Sequence, residues 1–380
     1  MSWLGWWQSC GTWTVFDLKL EQHFHEWITA VEHQIREQEV TEAVDEFEFF
    51  LNKQWSDGFP VVTPTEARLE SMLKGTRRDP DEVIGNIPPA MEQATVRTVA
   101  IHALMAGCKP EYLPAVLGGI NLMLREEFNM NGVQGTMHGV APLMIVNGPY
   151  AKKIGIHGEN GCFGPSFRAN ATIGRAIRLM MLNLGGGIAG IGSATIFSTP
   201  LRYTACITEN TTQSPWETLA VSKGYLDTDN VITCAMVESP RLCFDDVSQE
   251  PDRLLNGIAD SMVAMGSWNM HARSDMVVAM GPQHATICSK AGMSRSDVHD
   301  RLCKIAGRKV RDLKNGGNWR RERALGFPIK VNPDDDDFFI PAIKEADDLQ
   351  LMVAGGWGPC TAVCHGWSGG SKAVHGKYEI

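Results

Sequence analysis

The 380-residue chain has no block of lysine and arginine of the kind that neutralises phosphates, and its 35 basic side chains are outnumbered by 44 acidic ones, a formal charge of −9. Nucleic acid is not an expected partner. No run approaches the ~18 consecutive apolar residues that cross a bilayer, so no membrane partner is expected either. The opening "MSWLGWWQSCGTW" lacks the basic segment and uninterrupted apolar stretch of a secretory leader, and the chain reads as soluble and cytoplasmic. Ten cysteines without framework spacing exclude a disulfide scaffold and leave free thiols as the expectation. HExxH and CxxC are both missing, so no local motif names a metal or a cofactor.

What is present is an ordinary globular composition, 43% hydrophobic, on a chain long enough for two or three units. Residues 17–54 carry apolar positions at helical spacing among many charges, which predicts an amphipathic extension. His23, His25 and His33 lie on it as solvated helix residues. Trp3, Trp6, Trp7 and Trp13 precede it, and exposed aromatics of this kind cluster at interfaces. A homo-oligomer, most simply a twofold dimer, is therefore expected. From Trp55 the turn signals Asp57-Gly58 and Asp79-Pro80 bracket a short strand and a helix capped by Thr65. "EQATVRTVAIHALMAG" reads as a buried helix ended by Gly107, and "KPEYLPAVLGGINLMLREEF" as another with Pro110 in its first turn.

One pattern recurs. "APLMIVNGPYAKKIGI" (141–156) and "SDMVVAMGPQHATICSKAGM" (274–293) each run apolar strand, Gly-Pro, helix, and "DLQLMVAGGWGPCTAV" (348–363) is a third strand, ending at Gly355 and Gly356. Strand ends of open α/β sheets gather ligands, and their free N–H groups hold anions. The expected fold is α/β, with mixed or parallel sheets built from strand–Gly-Pro–helix units. Internal duplication is one reading of the repeat, and generic turn chemistry is the other. The expected division is an extension over 1–54, a first α/β unit over 55–225 and a second over 226–380.

Chemistry is concentrated near residue 160. In "GENGCFGPSFRANATIGRAIRL" a helix starting at Pro165 or Ser166 places Cys162 ahead of the positive end of a macrodipole, with Arg168 and Arg175 nearby, which favours a thiolate. The competing reading is a small apolar residue packed in a tight turn. His138, His157 and His284 occupy loops beside strands, where acid–base work or ligation is done, whereas His102 falls inside an apolar helix. Asn131, Gln134 and Asn170 sit in glycine-bearing contexts and suit the orientation of a small polar ligand. Glu209 and Asn210 follow the strand "YTACI", with Glu209 the acid–base candidate and a capping role its alternative. Cys360, Cys364 and His365 form CxxxCH, which matches neither a redox nor a haem motif.

The stretches "WSDGFPVVTPTEARLESML", "GCKPEYLPAVL", "FNMNGVQGTMHGVAPLMIVNGP", "GCFGPSFRANATIGRAIRL", "ENTTQSPWETL" and "MGPQHA" together resemble the large region of UGSC-family (seleno)proteins, named for a selenocysteine-Gly-Ser-Cys motif. The likeness runs from about Trp55 to Ile380. It implies roles for Asn131, Gln134, His138, Asn147, Gly148, Cys162, Arg168, Asn170, Glu209, Asn210, Trp216, Gly281, Pro282 and His284. No Cys-Gly-Ser-Cys occurs in this chain, so the chemistry that names the family does not transfer. A basic residue of the family pattern is replaced here by Pro359 and Cys360.

The expected function is a cytoplasmic enzyme of lyase, hydrolase or redox type acting on a small polar, anionic substrate. Cys162 is its nucleophile or redox thiol, His138 or His157 the base, Arg168 an anion clamp and Glu209 a second acid–base group. One alternative is a metalloenzyme using His138 and His284 with a carboxylate or Cys162. The other is a non-catalytic effector-binding or assembly protein.

Overall fold

The computed structural model describes residues 45–316 and 318–380. Most of the expected extension, with its histidines and four tryptophans, lies outside the described residues. Its last turn, the helix Glu46–Asn52, is capped by Asp45 and puts Phe50 into the main core. The segment after Trp55 forms no strand. It is tied down by charge instead: Asp57 accepts both prongs of Arg175, at 2.8 and 2.7 Å, from the helix Arg168–Asn183.

A hairpin of β1 (Val83–Ile87) and β2 (Glu92–Thr95) follows. The helix expected over 92–107 starts only at Val96, because Thr95 and Thr98 form a capping box, and it ends before Gly107. Inside it His102 is buried, with Nδ1 2.7 Å from the Thr98 carbonyl and its pKa pushed down to about 4 by desolvation.

Two four-stranded sheets make the frame. β3 (Ala141–Asn147), β4 (Cys206–Ile207) and β5 (Val231–Val237) belong to the first, and β6 (Arg241–Phe244) and β7 (Met276–Met280) to the second. A hairpin of β8 (Gly307–Lys309) and β9 (Phe339–Pro341) stands apart. β10 (Leu349–Val353) and β11 (Cys360–His365) complete the second sheet, and β12 (Val374–Lys377) the first. The orders are β4-β3-β5-β12 and β10-β7-β11-β6. Both run parallel, antiparallel, antiparallel across the sheet. The sheets are mixed, as the fold class requires. In both, the second strand leads through Gly-Pro into a helix, Pro149–Lys153 after β3 and Pro282–Lys290 after β7.

Alternate side chains of the strands go to different cores, which shows how the layers stack. In β3, Met144 and Val146 face the core under the helices Val96–Ala106, Leu113–Met123 and Arg168–Asn183, while Ala141, Leu143 and Ile145 face the other sheet. In β7, Met276, Val278 and Met280 face the helices Pro251–Met262, Pro282–Lys290 and Arg295–Ile305, while Val277 and Ala279 face β3 and β5 across the shared core. The result is four layers, helices, sheet, sheet, helices. Strands covered on both faces are buried at every position, as β3, β5, β7 and β10 are, and all but a few of their residues are apolar.

The chain exchanges its edge strands. After β5 it crosses to the second sheet as β6, and after β11 it crosses back as β12, so the first sheet includes strands on both sides of residue 225. The crossings touch where Val237 pairs with Gly366 and the Glu238 N–H donates to the His365 carbonyl at 2.7 Å. No helix among the described residues is long and apolar enough to cross a membrane.

The Gly-Pro turn after β3 admits only glycine. Gly148 has φ 102° and ψ 174°, and a Cβ there would lie 2.2 Å from the Asp229 carbonyl oxygen. Gly155 also has a positive φ, 74°, but open space around it. Gly155→Ala is expected to cost about 1 kcal/mol and Gly148→Ala about 3 kcal/mol or more. Thermal unfolding of the two variants checks this, and equal losses would contradict the packing of this turn.

Candidate functional site

The C-terminal ends of β3, β4 and β10 converge with the loop 157–162, and eight of the expected site residues, Asn147, His157, Cys162, Asn170, Glu209, Asn210, Gly355 and Gly356, meet there. Asn147 is the last residue of β3, and Glu209 and Asn210 follow β4. The Asn210 N–H donates to the Val353 carbonyl at 2.9 Å, and its side-chain amide to the Gly355 carbonyl at 2.8 Å, which ties the end of β4 to the end of β10. The Gly355 N–H in turn donates to the Gly158 carbonyl at 2.8 Å. Gly158 lies so close to β4 that a Cβ would be 2.5 Å from the Thr208 oxygen, and Gly356 so close to Asn160 that one would be 1.8 Å from its Oδ1.

Asn170 holds the 157–162 loop. Its Oδ1 accepts the His157 N–H at 2.8 Å, and its Nδ2 donates to the carbonyls of His157, at 2.8 Å, and Cys162, at 3.2 Å. A ligand-orienting role expected for this buried amide is thus filled by the backbone of its own chain.

Glu209 is the most perturbed acid of the cluster. One carboxylate oxygen accepts from Asn147 Nδ2 at 2.7 Å and from the Leu219 N–H at 2.8 Å. Desolvation nevertheless pushes its pKa up to about 7, against those bonds, the Arg295 charge and the Val353 N–H. Two buried polar atoms have no hydrogen-bond partner, Oδ1 of the Asn147 that bonds it and Nε of the Arg295 whose charge it feels. Arg295 donates through its other arm to the Leu351 carbonyl at 2.6 Å, and burial pulls its pKa down while Glu209 and Glu217 pull it up. Nothing in the sequence marks Arg295, which opens a helix among surface charges. Only the folded chain brings it to Glu209.

Cys162 lies in the turn, buried in the core shared by the sheets. The helix it precedes begins at Arg168, later than Pro165 or Ser166, with Phe167 as its N-cap. Burial raises the thiol pKa, while the backbone N–H groups of Gly355, Phe163 and Cys162 itself pull it down. All nine cysteines among the described residues are free.

The His157 side chain is engaged within its own loop, and the remaining expected residues are held elsewhere. His157 bonds the Asn160 carbonyl through Nε2 at 2.9 Å and stacks on Phe167 at 3.6 Å, and Arg168 donates to the Gly107 carbonyl at 3.0 Å rather than toward Cys162. His138 pairs with Glu238 at 2.6 Å, ahead of the first residue of β3, so a seven-residue strand of about 20 Å separates it from Asn147. No histidine bonds the Cys162 thiol among the described residues. Gln134 braces the carbonyls of Pro88 and Met181 at 3.0 and 2.7 Å, and Asn131 lies half-buried on the helix Met130–Gly135. His284 is buried with both nitrogens engaged, by Thr361 Oγ1 at 2.8 Å and the Asp245 carbonyl at 3.0 Å. Gly281 packs on the Cys360 carbonyl. Among the described residues no three His, Cys, Asp or Glu side chains are grouped to hold a metal ion.

The raised pKa of Glu209 has a stability consequence. Its folded value, about 7, lies above the ordinary 4.5, so the folded chain holds the proton more tightly than the unfolded one. That contribution is full below pH 4.5 and is lost as pH rises to 7, roughly 3 kcal/mol in all. Asp275, also pushed up to about 7 by burial, adds a slope of the same sign. Glu209→Gln is therefore expected to flatten, without abolishing, the fall in stability between about pH 5 and pH 8. Thermal melts of both proteins across that range check it, and parallel pH profiles would contradict it.

No protein-family model, curated protein or solved structure matches this chain.

Proposed function

We propose that this protein is an enzyme acting on a small polar, anionic substrate, with Glu209 as its general acid–base group and Cys162 as its thiol. The observation that carries the reading is a buried carboxyl of pKa about 7 together with two unpartnered buried polar atoms on residues that act on it, Asn147 Oδ1 and Arg295 Nε. Each such atom costs about 1–3 kcal/mol when left unbonded, so a ligand group that bonds either is bound favourably. A carboxyl that is half-ionised near pH 7 can both take and return a proton. Arg295 offers a cationic donor to a substrate oxygen, and Asn147 orients the carboxyl. Backbone N–H groups at Cys162 stabilise the thiolate when it forms, in place of the histidine expected from the sequence. The resemblance of residues 55–380 to the UGSC family gives this reading a family but no reaction. Cytoplasmic residence and assembly through the tryptophan-rich leader belong to the same proposal.

A binding protein without turnover is the second reading, and the burial that raises the Cys162 pKa favours it. A thermal-shift screen of small carboxylates and other polar anions, followed by turnover assays on compounds that stabilise, separates the two. Glu209→Gln and Cys162→Ser are each expected to lower turnover at least about 100-fold. Retained binding with no turnover by the wild type would leave the binding reading. Mass spectrometry after limiting iodoacetamide tests the thiol itself: Cys162 should label ahead of the buried Cys206, Cys234 and Cys364, and sparing of Cys162 removes it from the mechanism.

A further inference from the structure

A cleft of about 320 Å³ opens beside β12, lined by Arg125, Glu127, Lys223, Tyr225, Lys372 and the segment ending at His375. None of these residues belongs to the Asn147–Glu209 site. Three segments remote in sequence build it, and they are fastened to one another. Arg125 Nη1 donates to the His375 carbonyl at 3.0 Å, and the Lys372 N–H to the Glu127 carbonyl at 2.8 Å. His375 Nδ1 bonds Thr233 Oγ1 at 2.8 Å, and Lys223 Nζ stands 3.3 Å from Asp347.

The charge of the lining is one-sided. Arg125, Lys223 and Lys372 outnumber Glu127, the single acid of the lining, and Arg125, Glu127 and Lys372 are all exposed, while Lys223 also faces Asp347 just outside it. Burial is the main cause that holds the His375 pKa down to about 4, with Lys223 and then Arg125 lowering it further and Asp347 raising it. The volume is at the lower end of small-molecule sites, about 300 Å³, so the occupant is a compact molecule rather than a polymer. A planar guanidinium matched to paired oxygens, with two ammonium groups as point charges, suits a tetrahedral group with three terminal oxygens. Tyr225 supplies an aromatic wall.

We propose that this cleft binds a small phosphate monoester, its phosphate gripped by Arg125, Lys223 and Lys372 and its carbon skeleton laid against Tyr225. The proposal is independent of the reaction assigned to Glu209. The test is calorimetric titration of the full-length protein, at low ionic strength, with inorganic phosphate, phenyl phosphate and malonate. One saturable site per chain is expected for both phosphates, with phenyl phosphate the tighter. The double variant Lys223→Gln/Lys372→Gln, at half-buried and exposed positions, should bind both at least tenfold more weakly, and Lys372→Arg should bind as the wild type does. The His375 ring resonances should shift with phosphate in the wild type. Absence of saturation with both phosphates, or unchanged affinity in a folded double variant, overturns the site, and malonate binding more tightly than phosphate overturns the phosphate class.

Discussion

The central strands of both four-stranded sheets are covered on both faces, while the edge strand β6 leaves Leu242 and Phe244 exposed, and the rest of the structure depends on that central burial. The inner faces of β3, β5, β7, β10 and β11 share one core, and each outer face carries its own layer of helices. Exchange of β6 and β12 makes either half incomplete alone, because each sheet takes an edge strand from the other half's connection. Separating the halves would expose the shared core and break the Val237–Gly366 bridge together. The two halves are one folding problem.

That arrangement brings strand ends together and keeps water from them. A carboxyl placed there is desolvated whichever residues surround it, and Glu209 shows the consequence. Hydrogen bonds from Asn147 and Leu219 favour its charged form, yet desolvation outweighs them. Cys162 obeys the same balance, with nearby N–H groups insufficient to offset its burial. The two halves also differ at matching points. β3 ends in Asn147, whose side chain bonds Glu209 just beyond β4, where β7 ends in Met280, paired with Val353 of β10. Polar chemistry is retained at one strand end and replaced by packing at its counterpart.

The α/β class was legible because strands buried on both faces become largely apolar runs, as β3 and β7 do, with β10 interrupted by Gln350. The exchange of edge strands was not, since "RLCF" and "VHGK" are short and their partners are fixed only by long-range pairing. Glu209 was readable as a lone acid after an apolar strand. Arg168 was misplaced by adjacency: as the first residue of its helix it swings to the Gly107 carbonyl, and sequence neighbours on a turn and a helix need not face one site. His138 was legible as a polar loop residue, but only the strand direction reveals that it stands at the opposite end of β3 from Glu209. Arg295 carried no local signal at all, because its role comes from the fold of a segment almost ninety residues further on.

The central claim is that burial between the two halves holds the Glu209 carboxyl protonated up to neutrality. Carbon-13 detection of side-chain carboxyl resonances through a pH titration, with Glu209→Gln to assign the signal, measures this directly. The account predicts a Glu209 midpoint near pH 7. A Glu209 midpoint near the ordinary 4.5 would contradict it, since the carboxyl would then be solvated and the strand ends open to water.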